Sequence, residues 1–341
     1  MATGLQLAEA PEPLLGATWR DSRAGFLTAW ILRRIAFGII TLFLVSIVVF
    51  IATHLLPGNA ARAILGTTAT PARVAVLEQQ LGLNQPAWEQ YTSWIGGLFQ
   101  GNLGMSLAAR EPVSTVIGWR VLDSLQLLLA AAVVSIPVSF GIGILAAVRP
   151  GKAVDHAING VSVVLAALPE FVTGLLLVLL FAVGALHLLP AVSLAQPGDT
   201  PLSNPRILVL PVLTLTLAVI PYLSRLVRAS LIEALNSDYV VMARLKGLKT
   251  GTILIRHALR NALIPAVQGT ALTLAYLLGG VVIVEYVFQF PGLGSALQEA
   301  VNQRDVPVLQ AIVMFFAAAF VLFNMTADIL TMLLTPRIRT R

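Results

Sequence analysis

The amino-acid sequence has no cysteine and few charged residues. The absence of cysteine excludes disulfides, thiol nucleophiles and metal or iron–sulfur sites built from thiolates. Asp, Glu, Lys and Arg make up 11% of the 341 residues, against about 25% in a soluble domain. Hydrophobic residues make up 57%. So few charges cannot cover the surface of a water-soluble globule of this length, and the sequence therefore predicts an integral membrane protein.

Motifs for nucleotide hydrolysis and for metal chemistry are also missing. The phosphate-binding pattern G-x-x-x-x-G-K-[ST] does not occur, because Gly151-Lys152 has neither the upstream glycine nor a following Ser or Thr. The four histidines are scattered, and none belongs to a His-Glu-x-x-His motif. We therefore expect no catalytic residue and no metal site in this chain.

Long apolar runs predict six membrane-spanning helices, since each run can cross about 30 Å of hydrocarbon. Unbroken apolar blocks, rather than alternation over ten-residue segments, favour an all-α protein over a β-barrel. The predicted organisation is an N-terminal extension (1–29), six spans (30–56, 125–148, 158–188, 207–224, 263–286 and 308–334), an external loop (57–124), a cytoplasmic loop (225–262) and a C-terminal tail (335–341).

The distribution of basic residues predicts the orientation in the membrane. Sixteen of the 22 Lys and Arg residues fall in segments that would share one side with the N-terminus. Because basic residues concentrate on the cytoplasmic side, we expect both termini to be cytoplasmic. The net charge of +6 then needs no nucleic-acid partner. Residues 1–29 lack an apolar stretch long enough for a signal peptide, so we expect no cleavage.

The external loop is long enough to hold short helices of its own. Thr70-Pro71 is typical of a helix start, and a second helix is expected from Pro86 to Phe99. This second segment is rich in Trp and Tyr, which favour the headgroup level of a membrane. Two interpretations follow: a docking surface for an external partner, or a helix that lies at the membrane interface.

Few ionisable residues lie within the predicted spans, and each is a candidate functional group because charge is costly in lipid. Glu170 follows Pro169, which favours a bend in the helix. Glu170 either lines a transport pathway or makes a local hydrogen bond that stabilises the bend. Asp328 lies near the cytoplasmic end of the last span, where we expect structural pairing, and Glu285 lies at the end of the fifth span.

The cytoplasmic loop contains residues that point to a family. Asn236-Ser237-Asp238 is typical of a helix start and Gly247 of a turn. The segment from Asp238 to Leu248, with the run His257 to Pro265, resembles the cytoplasmic loop of dipeptide and oligopeptide permeases, the membrane subunits of ATP-binding-cassette importers. Further matching segments are 55–58, 81–86, 101–104, 285–288, 291–294 and 336–339. The long first loop is similar to that of the first, or "B", permease subunit.

The resemblance implies a type I importer fold in the bacterial plasma membrane. It implies that this chain and a second homologous permease line a pathway for di- and oligopeptides. An extracytoplasmic binding protein would deliver the substrate, and two ATPase subunits, which bind ATP and Mg, would drive alternating access. The resemblance implies no cofactor for this chain itself. Nickel, glutathione and short oligosaccharides are alternative substrates within the family, and an ATP-independent secondary transporter is a further alternative.

The resemblance also implies that the cytoplasmic loop docks an ATPase through an E-A-A-x-x-x-G motif. Gly247 matches the glycine and Ala243 the second alanine, whereas Val241 and Met242 replace the glutamate and the first alanine. The predicted coupling residues are Asp238, Tyr239, Ala243, Arg244, Lys246, Gly247 and Leu248.

Overall fold

The computed structural model describes residues 18–55, 60–66, 69–80, 82–184, 187–194 and 200–334. Most of the predicted N-terminal extension and the whole predicted C-terminal tail lie outside these residues. The helices are α1 (Thr18–His54), α2 (Ala60–Leu65), α3 (Pro71–Gln80), α4 (Ala87–Phe99), α5 (Val113–Val148), α6 (Ala153–Ala167), α7 (Glu170–Val178), α8 (Pro205–Leu235), α9 (Asp238–Leu245), α10 (Thr250–Phe288), α11 (Leu293–Gln303) and α12 (Val306–Leu334). Within the described part of the chain, β-structure amounts to one isolated bridge, between Met105 and Pro112. The predicted all-α class is confirmed.

Among the described residues, five helices are long and apolar enough to cross a membrane: α1, α5, α8, α10 and α12. The pair formed by α6 and α7 passes the same test when it is taken as one bent span. The described residues therefore provide five spans, or six with the bent pair. The helix that contains the predicted second span begins at Val113, well before residue 125.

The bent pair is broken at Leu168 and Pro169, where the chain turns through 103°. Both residues have extended backbone, with ψ near 125° and 145°. The cause is local, because the proline ring disfavours helical geometry in the preceding residue. The bend expected from Pro169 is therefore present, and it places Glu170 at the first position of α7.

The main core surrounds α8, which packs against α5, α6, α7 and α10. Side chains from α5, α7, α8 and α10 form one buried apolar cluster, in which Leu127, Leu215, Leu277 and Phe288 are fully buried. In α8, 67% of the most apolar stretch is buried, against 11% in α1. The bundle is thus built around α8, and α1 lies at its edge.

The peripheral helix α1 is attached chiefly to α12. Near one end of the pair, Arg34 forms an ion pair with Asp328, with Nη1 and Oδ2 2.9 Å apart. Near the other end, Gln310 Nε2 donates a hydrogen bond of 2.9 Å to Thr53 Oγ1. The structural pairing expected for Asp328 is therefore confirmed.

Candidate coupling site and transport pathway

The short helix α9 stands at one end of the bundle and is seated on it by two buried side chains. Val240 is fully buried and Ala243 is 6% exposed. Both pack into an apolar cluster that draws on α5, α8 and the start of α10, including Ala147, Leu231, Ile253 and Ala258. The seat of α9 therefore includes side chains from the ends of three spans.

The C-terminus of α9 is closed by a Schellman motif centred on Gly247. The Leu248 N–H donates to the Ala243 carbonyl oxygen at 3.3 Å, and the Gly247 N–H donates to that of Arg244 at 2.9 Å. Gly247 has a φ of 75°, a left-handed conformation that glycine adopts without steric cost. The turn expected at Gly247 is present.

The outward face of α9 is apolar along one stripe and charged beside it. Tyr239, Met242 and Leu245, spaced three residues apart, are 41%, 56% and 77% exposed. Of the predicted coupling residues, six are exposed and one is buried. The exposed ones are Asp238, Tyr239, Arg244, Lys246, Gly247 and Leu248.

Ala243 is the buried member of the predicted set, and it lies beneath α9 rather than on its outward face. Its structural role is to seat the helix, because a larger side chain would not fit the close packing there. Met242 and Leu245 were not among the predicted residues although both are strongly exposed. The three-residue apolar spacing that starts at Tyr239 is the sequence signal that indicates them.

A partly buried ion pair joins the first turn of α6 to α8. Arg228 Nε and Nη2 donate to the two carboxylate oxygens of Asp155 at 2.6 and 2.7 Å. Asp155 also accepts hydrogen bonds from the Gly151 N–H at 2.9 Å and from Asn159 Nδ2 at 2.8 Å. The carboxylate is thus fully paired and fixes the start of the bent span to α8.

Glu170, the predicted pathway residue, lies where α7 meets α10. Within the described part of the chain, its Oε2 is buried and has no hydrogen-bond partner. The carboxylate lies over Gly280, where an added Cβ would be 2.7 Å from Oε2. Tyr276, one turn away on α10, is 57% exposed and interacts electrostatically with Glu170. The pathway role of Glu170 and its role in a local hydrogen bond therefore both stay predictions.

Glu285, in contrast, has a structural role as a helix cap. It is fully buried. Ser124 donates to its Oε1 at 2.6 Å, and the Gly294 N–H in the first turn of α11 donates to its Oε2 at 2.6 Å. The Leu293 N–H in turn donates to Ser124 Oγ at 2.8 Å. Glu285 and Ser124 together therefore satisfy two free amide groups at the start of α11 and hold α5, α10 and α11 together.

Comparison with known proteins identifies the family to which this helical architecture belongs. Residues 139–340 match the family described as "Binding-protein-dependent transport system inner membrane component". The chain belongs to this family. Residues 27–125 match the corresponding N-terminal family of the same transport systems. This permease is therefore a multi-pass inner-membrane subunit of an ATP-binding-cassette importer. Such importers combine it with a second permease, ATPases and a binding protein.

Curated relatives are similar along almost their whole length. The glutathione transport system permease protein GsiC of Escherichia coli O6:H1 is 37% identical over 310 residues, which cover 91% of this permease and 98% of the relative. The GsiC proteins of Escherichia coli strain K12 and of Shigella dysenteriae serotype 1 are 36% identical over the same coverage. The resemblance to dipeptide and oligopeptide permeases is thus confirmed at the level of the family.

Proposed function

We propose that this permease forms half of a pathway for short peptides and couples ATP hydrolysis in partner subunits to alternating access. Glutathione, the substrate named for the relatives, is itself a short peptide. A pathway for short peptides is therefore consistent with both the peptide interpretation and the glutathione alternative. ATP and Mg are bound by the partner ATPases, and this chain contributes no catalytic group. Both termini lie in the cytoplasm in this proposal, on the side of α9.

The observation that supports the proposal is that α9 has one buried face and one exposed apolar face. One side, Val240 and Ala243, is buried against three spans, whereas the opposite side exposes Met242 and Leu245. An exposed apolar stripe on a short helix fits a groove on a partner protein. The exposed members of the predicted coupling set lie in or beside this stripe, and with it they form the surface that we assign to the ATPase.

The mechanism follows from how α9 is attached. When the ATPases close, their grooves displace α9, and its buried face moves the ends of α5, α8 and α10 as a rigid body. The ion pair between Arg228 and Asp155 carries the motion from α8 to the bent span. Glu170 lies at the bend of that span, so its carboxylate would move relative to Gly280 and reach the substrate.

A charge at Gly247 tests the docking assignment. Gly247→Asp should assemble in the membrane, because Asp tolerates the left-handed conformation and the position has open space around it. An unpaired carboxylate buried in an interface is costly, so we expect uptake to fall on the order of tenfold or more. Uptake and substrate-stimulated ATP hydrolysis are measured in vesicles that contain the complete importer.

Gly247→Asn is the matched control, since Asn has the same shape without the charge and also adopts the left-handed conformation. It should retain most of the uptake. Equal, normal uptake by both variants would remove Gly247 and its neighbours from the ATPase interface. Uptake that continues without ATP would instead favour the ATP-independent transporter.

A further inference from the structure

The external helix α4 exposes an apolar stripe that no described part of the chain covers. Trp88 is 67% exposed and Phe99 is 88% exposed, with Ile95 half-buried between them. These positions are separated by seven and four residues, so they share one face of the helix. Large exposed apolar surfaces on a helix mark contact with a partner or with a membrane.

The neighbouring face of α4 packs against the last third of the membrane span formed by α1. The hydroxyls of Tyr91 and Ser46 are 2.8 Å apart and hydrogen-bonded. The ring of Phe50 contacts those of Tyr91 and Trp94, with centroids 5.3 and 6.2 Å apart. Ser46 and Phe50 belong to α1, so the depth of α4 in the membrane follows from the positions of these two residues along the span.

That level lies within the hydrocarbon. The apolar part of α1, Thr28–His54, has 27 residues, a length of about 40 Å against a hydrocarbon thickness of about 30 Å. A centred span would project about 5 Å beyond the hydrocarbon at each end. Ser46 precedes His54 by eight residues, or about 12 Å, and so lies about 7 Å inside the boundary.

The surface of α1 beside α4 is itself suited to lipid. Phe43 is 54% exposed, and it lies three residues before Ser46 and seven before Phe50, on the same face of α1. The face of α1 on which α4 packs therefore continues as exposed apolar surface toward the centre of the membrane. This continuity distinguishes a lipid contact from a docking site for a soluble protein.

The opposite face of α4 borders water. Gln90, Ser93 and Gly97 line an open cavity of about 700 Å³, together with Arg304 and Gln310 from the region of α12. Polar residues thus face the cavity while Trp88 and Phe99 face away from it. This is the arrangement of an amphipathic helix that lies in a membrane interface.

We propose that α4 lies in the outer leaflet, with Trp88, Ile95 and Phe99 in contact with acyl chains, and that lipid holds the external segment in place. The assignment to the outer leaflet uses the orientation proposed above. The contact with lipid depends only on α1 being a span. In this arrangement α4 forms a wall between the bilayer and the external cavity.

The absence of cysteine makes the test direct, because single cysteines can be introduced for spin labelling. Trp88→Cys, Phe99→Cys and Thr92→Cys probe the proposed lipid face, and Thr92→Cys retains both aromatic side chains. Ser93→Cys is the matched control on the cavity side. Each labelled permease is placed in nanodiscs of phosphatidylethanolamine and phosphatidylglycerol, with the other importer subunits present.

Electron paramagnetic resonance then compares collisions with oxygen, which enters lipid, and with a water-soluble nickel chelate. We expect oxygen collisions to exceed nickel collisions at positions 88, 92 and 99, and the order to reverse at position 93. Nickel access at all four positions would overturn the proposal. Nickel access at positions 88, 92 and 99 that is lost when the binding protein is added would also overturn it and assign this face to that protein.

Discussion

Replacement of Gly143 by alanine is expected to destabilise the permease, because α5 and α8 touch at this residue. A Cβ added to Gly143 would lie 2.6 Å from the Ser224 carbonyl oxygen and 2.8 Å from Val227 Cβ. The first neighbour is backbone and cannot rotate away. Accommodating the methyl group therefore requires the two helices to move apart by several tenths of an ångström, along the contact on which the core is built.

The magnitude follows from two opposing effects. Overpacking of a close helix contact costs about 1–3 kcal/mol. Replacing glycine by alanine within a helix gains about 0.5–1 kcal/mol from backbone entropy. Gly141→Ala measures the entropy gain alone, because Gly141 lies on the same helix and a Cβ there meets nothing within 4 Å. The difference in unfolding free energy between Gly143→Ala and Gly141→Ala is thus expected to be about 1–3 kcal/mol.

Both variants are compared with the parent permease in nanodiscs, by thermal unfolding and by titration with a denaturing detergent. Gly141→Ala should match or exceed the stability of the parent, and Gly143→Ala should fall below both. Equal stability of the two alanine variants would refute the close packing of α5 on α8 at Gly143.

Two further substitutions test the buried carboxylates. Gly280→Ala should displace the Glu170 carboxylate and slow substrate uptake. Gly279→Ala, with open space around the added methyl group, should leave uptake unchanged. Equal uptake by the two variants would remove Glu170 from the pathway. Glu285→Gln should lower the free energy of unfolding by about 1–3 kcal/mol, because one of the two acceptor oxygens that receive Ser124 and Gly294 becomes a donor. Unchanged thermal unfolding of the Glu285→Gln permease would contradict the capping role.

Features with a local cause could be predicted from the sequence. Proline disfavours helical geometry in the residue before it, so Pro169 indicates a bend wherever the segment lies. Glycine after a short amphipathic segment indicates a C-terminal turn, as found at Gly247. An aspartate in an apolar span requires a partner, and Asp328 has one in Arg34.

Features that depend on distant residues could not be predicted. The partners Asp155 and Arg228 are 73 residues apart in the chain, and no local pattern relates them. The capping of α11 by Glu285 depends on the chain folding back after α10, which charge and hydropathy do not encode. The burial of Ala243 is similar: its helix is amphipathic in the sequence, but the side that is covered depends on where α5 and α8 end.

The two polar contacts between α1 and α12 fix the position of one helix along the axis of the other. Arg34 and Thr53 are 19 residues apart on α1, and their partners Asp328 and Gln310 are 18 apart on the antiparallel α12. The separations agree to about one helical rise, 1.5 Å. Apolar contacts alone would not fix this position, because within the bilayer lipid tails are as apolar as the side chains of a neighbouring helix. A shift by one turn would break both contacts at once, so the edge helix has one alignment although little of it is buried.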